Sequence, residues 1–149
     1  MLKIGIFSDS HGNKRGADRL LELLSDCAYV IFLGDGLRDI ELYQDVRLIK
    51  VCGNCDWFAD EPGRRIKTFE QVQTYITHGA DERVKQGLEY LAQSAKARGC
   101  TLALYGHTHT ARTDTVSGVL CVNPGALADG RYAVAELDGD RVSVRLMRL

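Results

Sequence analysis

Apolar runs and helical spacings alternate through the first third of the chain. Leu2 to Phe7 is a short apolar run, and Tyr29 to Leu33 and Arg47 to Val51 also predict strands. The apolar residues after the first run recur at helical spacing, at Ala17, Leu20, Leu21 and Leu24. A second helical patch, with Ile40, Leu42 and Tyr43, precedes the third strand. The alternation predicts a parallel sheet with crossover helices.

The pattern changes in the second part of the chain. Arg65 to Phe69 and Val72 to Thr77 flank Glu70 and Gln71 like a hairpin. A helix is then predicted from Val84, Leu88, Leu91 and Ala95, with Gly99 at its end. Only strands are expected after it, at Leu102 to Tyr105, Thr113 to Thr115, Val119 to Val122, Tyr132 to Leu137 and Val142 to Met147. Turns at Ser117-Gly118 and Asp138-Gly139 join two pairs of them. We expect two packed sheets with helices outside.

Polar side chains follow five of the predicted strands at the point where each strand ends. The residues are Asp9, His11, Asp35, Asn54, His78, His107 and His109, which include all four histidines. Ligands of open α/β sheets bind outside the carboxyl ends of strands, so these residues are expected to meet in one crevice. Taken singly, each fragment could be only a cap, a turn or a polar loop. Their conjunction favours a metal site.

Composition indicates what kind of protein carries that site. The 149 residues are 45% hydrophobic with a net charge of -1, which suits one domain over residues 1–149. Without a basic stripe, charge gives no indication of a nucleic-acid surface. The absence of a long apolar run and of a signal-peptide pattern predicts a cytoplasmic protein without a membrane span. Five dispersed cysteines are expected to be reduced thiols.

Five motifs in this order resemble a known family. FSDSHGN, GDG, GNCD, THG and GHTHT are similar to the five blocks of the calcineurin-like metallophosphoesterases, of the small bacterial and archaeal phosphodiesterase type. The resemblance implies an α/β fold, a four-layer αββα sandwich of two mixed sheets flanked by helices. It also implies a centre of two divalent ions, with manganese first and nickel, zinc, iron, cobalt or magnesium as alternatives.

The same resemblance assigns the ligands. Asp9, His11, Asp35 and His109 would hold one ion, and Asp35, Asn54, His78 and His107 the other, with Asp35 as the bridge. The implied reaction is hydrolysis of a small phosphoester by a hydroxide that the two ions activate. Cys55 stands where the family usually has a histidine that helps to protonate the departing oxygen. The general acid is therefore left open, with Cys55 as a candidate catalytic residue.

Other functions of the same fold stay open. Some short relatives in the family are metal-poor and act as protein-binding scaffolds, but all seven ligand positions here carry competent side chains. A phosphomonoesterase or a cyclic-nucleotide phosphodiesterase would use the same site. The sequence leaves the natural substrate, the metal and any homo-oligomer undetermined.

Several further residues have two interpretations each. Cys52 and Cys55 form a CxxC, although a structural zinc would need a second pair and Cys52 is expected to face the core. Trp57 and Phe58 could line a pocket or serve a core or interface. Arg64 and Arg65 could steer a phosphate or lie on a solvated face. The NPG at residues 123–125 could close the metal site or form a turn, and Ser8, Ser10 and Asn13 could cap turns or support the ligands.

Overall fold

The computed structural model describes residues 1–57 and 59–149. Phe58, one of two aromatic residues expected at a pocket, core or interface, lies outside the described residues. The strands are β1 Leu2–Phe7, β2 Tyr29–Phe32, β3 Leu48–Lys50, β4 Arg64–Phe69, β5 Val72–Thr77, β6 Leu102–Leu104, β7 Arg112–Val116, β8 Val119–Asn123, β9 Arg131–Asp138 and β10 Arg141–Arg148. The α-helices are α1 Lys14–Leu23 and α2 Glu89–Ala97. Short 3-10 helices span Leu37–Ile40, Val84–Gln86 and Leu127–Asp129.

The strands form two mixed sheets of five. In the first sheet the order is β10-β9-β1-β2-β3, and β1, β2 and β3 are parallel. In the second sheet the order is β4-β5-β6-β8-β7, and β5, β6 and β8 are parallel. The remaining neighbours pair antiparallel, including the three hairpins that the sequence predicts. This arrangement confirms the predicted α/β fold class.

Three apolar clusters place the sheets and helices in four layers. The inner cluster combines residues of both sheets, with Ile6 and Ile31 from the first and Ile76 and Leu104 from the second. A second cluster packs Leu20 of α1 on the outer face of the first sheet. The third packs apolar residues of α2 on the outer face of the second sheet. Burial of apolar surface in all three interfaces is the main stabilising contribution.

The helix predicted from Val84 to Ala95 is two elements. A 3-10 helix at Val84–Gln86 is followed by Gly87, whose φ of 130° no α-helix can contain, and α2 begins at Glu89. The predicted end is confirmed, because Gly99 with φ 74° follows the last helical residues. The expectation of strands alone after α2 is wrong, since Leu127–Asp129 forms a 3-10 turn.

The helices of the described chain are short. The α-helices have ten and nine residues. Across residues 1–57 and 59–149, no helix combines the length and the apolar character that crossing a bilayer requires. The patch predicted from Ile40, Leu42 and Tyr43 is a 3-10 helix that ends at Ile40, so Leu42 lies outside it and is largely exposed.

The two isoleucines of the β4–β5 hairpin allow a matched test of the core. Ile76→Ala should lower the free energy of unfolding by about 2–5 kcal/mol, because the side chain is fully buried between the sheets and leaves a cavity. Ile66→Ala removes the same atoms from a side chain that is 44% exposed and should cost much less. Urea denaturation of both variants measures the difference. Equal losses would contradict the assignment of Ile76 to the inner core.

Candidate metal centre

Loops at the ends of five strands deliver the predicted ligands. Asp9 and His11 follow β1, Asp35 follows β2 and His78 follows β5, while Asn54, His107 and His109 follow β3 and β6. The strands involved in each sheet are parallel, so their carboxyl ends lie at one edge of that sheet. This arrangement brings six of the seven side chains into two adjoining groups that could hold metal ions.

Asp9, His11 and His109 form the first group. Asp9 Oδ1 lies 3.2 Å from His109 Nε2 and 3.5 Å from His11 Nε2. The two imidazole Nε2 atoms are 3.2 Å apart. All three donor atoms lie within 4.8 Å of one another, as the ligands of one ion must.

Asp35, His78 and His107 form the second group. His78 Nε2 lies 3.2 Å from Asp35 Oδ2. The other ring nitrogen, His78 Nδ1, donates to the carbonyl oxygen of Leu33 at 2.8 Å. That bond leaves the lone pair on Nε2, which is the tautomer that a metal ligand needs.

Asp35 lies between the two groups. Its Oδ2 atom is 3.8 Å from His11 Nε2 in the first group and 3.2 Å from His78 Nε2 in the second. Asp9 Oδ1 is likewise 3.9 Å from His78 Nε2. The two groups are therefore adjacent, and the Asp35 carboxylate lies within 4 Å of a histidine in each of them.

Two atoms at the centre of this arrangement are buried without a hydrogen bond. They are Asp9 Oδ1 and His78 Nε2, both with lone pairs directed at the space between the ligands. Buried polar atoms in proteins are almost always paired, because an unpaired one costs on the order of 1–3 kcal/mol. A cation would satisfy both atoms, and mixed carboxylate and imidazole donors suit divalent transition metals. The residues present fit such ions.

At Asp35 and His107 the electrostatics favour the protonation states that metal ligands require. Burial opposes ionisation of Asp35, but the nearby His78 side chain, the hydrogen bond from the Cys55 amide and the charge of His11 outweigh it and lower its pKa to about 2. Burial lowers the pKa of His107, and the charges of His78 and Lys85 lower it further. Asp35 is therefore a carboxylate and His107 a neutral imidazole at physiological pH.

The ligand loops contain most of the residues other than glycine that have a left-handed backbone in the described chain. Eight described residues other than glycine have a positive φ. Five of them are predicted ligands, namely Asp9 at 53°, His11 at 42°, Asp35 at 63°, His107 at 72° and His109 at 64°. This conformation costs on the order of 1–3 kcal/mol for a side-chain-bearing residue and concentrates at functional sites. It turns several side chains of one loop toward the same point.

Asp56 fastens two of the loops to each other. Its Oδ2 accepts from the amides of Asp35 at 2.6 Å and Gly53 at 2.8 Å. Its Oδ1 accepts from the amides of Gly36 at 2.8 Å and Leu37 at 3.0 Å. One carboxylate thus satisfies four backbone donors and fixes the position of Asp35. The sequence shows Asp56 in its motif, but the role depends on loops twenty residues apart.

Asp39 fastens the first loop, and the sequence analysis assigns it no role. Its Oδ2 accepts from Ser10 Oγ at 2.6 Å and from the Gly12 amide at 2.9 Å, on either side of His11. Asp39 is 7% exposed, which is low for a carboxylate. The sequence carries no signal for this role, because Asp39 lies 29 residues from Ser10 along the chain.

Asn123 and Ser8 support the remaining ligands. Asn123 donates to the Gly106 carbonyl at 3.2 Å and to Thr108 Oγ1 at 2.9 Å, on both sides of His107. Ser8 Oγ donates to Asp9 Oδ2 at 2.6 Å. A Cβ at Gly106 would collide with Ser8 Oγ, so only glycine lets these loops approach so closely. Asn123 of the NPG segment therefore supports the loop that carries His107, and Ser8 contacts the predicted ligand Asp9 directly. Asn13 caps α1, accepting from the Gly16 amide at 3.0 Å.

Asn54 and Cys55 lie on the same loop as Asp56, with exposed side chains. The Cys55 amide donates to Asp35 Oδ1 at 2.8 Å, which places the loop against the second group. Asn54 Nδ2 lies 3.5 Å from Cys55 Sγ. Partial desolvation beside the ligand loops raises the pKa of the Cys55 thiol, and the charge of Asp35 raises it further. The thiol is therefore protonated at neutral pH.

The other sequence candidates have ordinary surroundings. All five cysteines are free, and Cys52 is half-buried rather than turned into the core. Cys52 donates its amide to Pro62 at the end of β3, where the strand no longer alternates between the two faces. Arg65 pairs with Glu61 at 2.8 Å on the surface. Arg64 is exposed and contacts the Tyr75 hydroxyl at 3.5 Å.

Comparison with known proteins agrees with the geometry. The model of the calcineurin-like phosphoesterase superfamily domain matches residues 2–140, so the chain belongs to this family. A Bacillus subtilis protein named probable metallophosphoesterase is 27% identical, over 97% of this chain and 89% of that protein. A phosphodiesterase of Methanocaldococcus jannaschii is 28% identical, over 83% of each.

Solved structures share the fold. A predicted phosphoesterase of Streptococcus pneumoniae superposes with a TM-score of 0.84 at 24% identity, over 99% of this chain and 89% of that one. Vps29 of Entamoeba histolytica, in a complex with Zn²⁺, superposes with a TM-score of 0.75 at 17% identity, over 99% and 98%. At these identities the likeness establishes the fold alone.

The support that Asp56 gives to the Asp35 loop, called the Asp56 clamp below, can be tested by replacing one of its two carboxylate oxygens with a nitrogen. Asp56→Asn should lower the free energy of unfolding of the metal-free protein by about 1–3 kcal/mol, because an amide nitrogen would face two of the four backbone donors. Manganese affinity should fall as well, since Asp35 loses its support. Denaturation and calorimetric titration measure both effects. Asp140→Asn, at an exposed turn, is the control. A variant with the stability and affinity of the parent would contradict the clamp.

Proposed function

We propose that this protein is a metal-dependent phosphoesterase that acts on phosphodiesters. Membership of the phosphoesterase family supports hydrolysis of a phosphoester. The preference for diesters rests on the motif pattern and on the relative named as a phosphodiesterase. The observation that carries the proposal is the pair of unpartnered buried atoms, Asp9 Oδ1 and His78 Nε2, at the meeting point of the two ligand groups.

The proposed function assigns each residue of the site either to one of two metal ions or to the support of the ligands. Asp9, His11 and His109 would hold one ion and His78, His107 and Asn54 the other, with Asp35 shared between them. Asn54 joins the second set because its loop packs against Asp35. Two divalent ions, when bound, would neutralise phosphoryl oxygens and supply an activated water for in-line attack. Asp56, Asp39 and Asn123 would hold these side chains in place.

The donor set bears on which metal is bound. Three carboxylate or amide residues and four imidazoles, with no thiolate among the proposed ligands, suit ions of intermediate hardness. We propose manganese first, with nickel, zinc, iron, cobalt and magnesium as alternatives. The substrate is proposed to be a small phosphoester.

A second candidate is a protein-binding scaffold of the same fold. The likeness to Vps29 supports it at the level of the fold, and the Zn²⁺ in that structure means that metal binding alone does not separate the two functions. Ligand completeness favours the enzyme. A phosphomonoesterase or cyclic-nucleotide phosphodiesterase remains a further candidate on the same residues, so hydrolysis of several ester classes must be measured together with metal content.

Metal content and hydrolysis of the same preparations test the shared ligand. The parent loaded with manganese should carry about two ions per chain and hydrolyse bis(p-nitrophenyl) phosphate. Asp35→Asn should lose most of both ions and the larger part of the activity, because its charge offsets the repulsion between two cations. His11→Gln removes a ligand of one ion only and should retain about one ion per chain.

Elemental analysis and steady-state kinetics provide the measurements, with Asp81→Asn as a surface control. Two ions and near-normal turnover in Asp35→Asn would show that the bridge is misassigned. A parent protein that binds metal but hydrolyses no phosphoester would support the scaffold.

Cys55 generates a prediction about leaving groups. A protonated thiol with a raised pKa is a weak proton donor, whereas help from a general acid is typically worth about 10²–10⁴-fold. The protein should therefore hydrolyse aryl diesters readily and alkyl esters or cyclic nucleotides slowly. Cys55→His should raise the rate on poor leaving groups more than on good ones.

A series of diesters with graded leaving-group pKa, run on both proteins at equal metal content, measures this dependence. The parent should show the steeper dependence on leaving-group pKa. A shallow dependence in the parent that Cys55→His leaves unchanged would show that another group supplies the proton.

A further inference from the structure

A cleft of about 870 Å³ opens beside the metal centre on the side of Cys55. We define its inner end by His11 and Asp35 of the metal centre, and Cys55, Leu37 and Trp57 also line it. Sites for small molecules typically have volumes of about 300–1,000 Å³. The cleft is therefore large enough for the part of a substrate that lies beyond the reacting phosphate.

Trp57 is placed to contact that part of a substrate. It is the single tryptophan of the chain, lies two positions after Cys55 and lines the cleft with a side chain that is 79% exposed. A large aromatic side chain normally buries most of its surface, because the hydrophobic effect favours it. An indole exposed at the wall of a cleft presents a flat face on which another planar ring can stack.

The charged residues that line the cleft restrict which kind of substrate group could stack on Trp57. Beyond the ligand loops, the cleft is lined by three carboxylates and two cations, at Glu41, Asp60, Glu61, Arg38 and Lys50. Lys50 and Glu61 lie 3.5 Å apart as an ion pair. The carboxylates outnumber the cations and would repel a second phosphate. An uncharged planar group fits this wall best.

On the basis of the phosphodiesterase function proposed above, we propose that the cleft binds the nucleoside of a nucleoside phosphodiester. The phosphate lies at the inner end, beside His11 and Asp35, and the base stacks on Trp57. Trp57 is then a specificity residue that contacts substrate remote from the bond that breaks. A single nucleotide is favoured over a polynucleotide, whose further phosphates would meet the carboxylates.

The fluorescence of Trp57 reports this contact without turnover. Thymidine 5′-monophosphate added to the manganese-loaded protein should quench the emission, because a stacked base lies against the only indole. Ribose 5-phosphate carries the same phosphate without a base and should quench little. Binding of the nucleotide should be tighter by roughly tenfold, in the range that stacking of one base on an aromatic residue provides.

Two diesters with the same leaving group test specificity in the reaction. The p-nitrophenyl ester of thymidine 5′-monophosphate and methyl p-nitrophenyl phosphate both release p-nitrophenolate, so only the second ester group differs. Trp57→Leu should lower the ratio of their kcat/KM values, nucleoside ester over methyl ester, by roughly tenfold, because only the nucleoside ester loses a stacking partner. Tyr90→Leu is the matched control, since Tyr90 is 54% exposed and lies on α2 outside the cleft.

The outcomes test nucleoside binding in the cleft separately from the proposed phosphodiesterase activity. Quenching by the nucleotide and a ratio that falls in Trp57→Leu alone support the nucleoside site. Equal quenching by both phosphates, stronger quenching by glycerophosphocholine, or an unchanged ratio overturns it. A dimer in sedimentation that Trp57→Leu dissociates also overturns it, because Trp57 would then be an interface residue. Failure to hydrolyse either diester overturns the phosphodiesterase function, whereas quenching still decides the cleft.

Discussion

The structure depends on holding two buried carboxylates and four imidazoles close together. Asp9 and Asp35 are almost fully buried, and each lies within 4 Å of histidine nitrogens of both groups. Desolvation and mutual repulsion of such groups oppose folding unless cations and hydrogen bonds offset them. Two carboxylates outside the predicted ligand set provide part of that support, since Asp56 and Asp39 accept hydrogen bonds from backbone amides of the ligand loops.

The sheets supply the rigidity that this arrangement requires. Short parallel strands end beside one another, so each ligand begins its loop from a fixed position only one or a few residues from a strand. Left-handed φ values at five predicted ligands then direct the side chains inward. A residue such as Gly53 is needed because any Cβ there would collide with Asp35 Oδ1. Strain and close approach are concentrated in the loops, while the four layers keep ordinary geometry.

Much of this could be predicted from the sequence, because strand ends and polar residues coincide. β1 and β5 begin and end where the apolar pattern places them, and the three hairpins follow from their turn residues. The break at Gly87 and the roles of Asp39 and Asp56 could not be predicted. They depend on the φ of one glycine and on hydrogen bonds between loops about twenty residues or more apart. Periodicity carries no information about such contacts.

The predicted ligands are spread over a hundred positions of the sequence, and this spacing has a thermodynamic consequence. Residues from Asp9 to His109 meet only when both sheets have formed, so the unfolded chain contains no comparable site. Any ion that binds there contributes its binding free energy to the folding equilibrium. A metal present at a thousandfold excess over its Kd would add about 4 kcal/mol to the stability. The resistance of this protein to denaturation should therefore change with the supply of metal in its surroundings, as well as with the quality of its core.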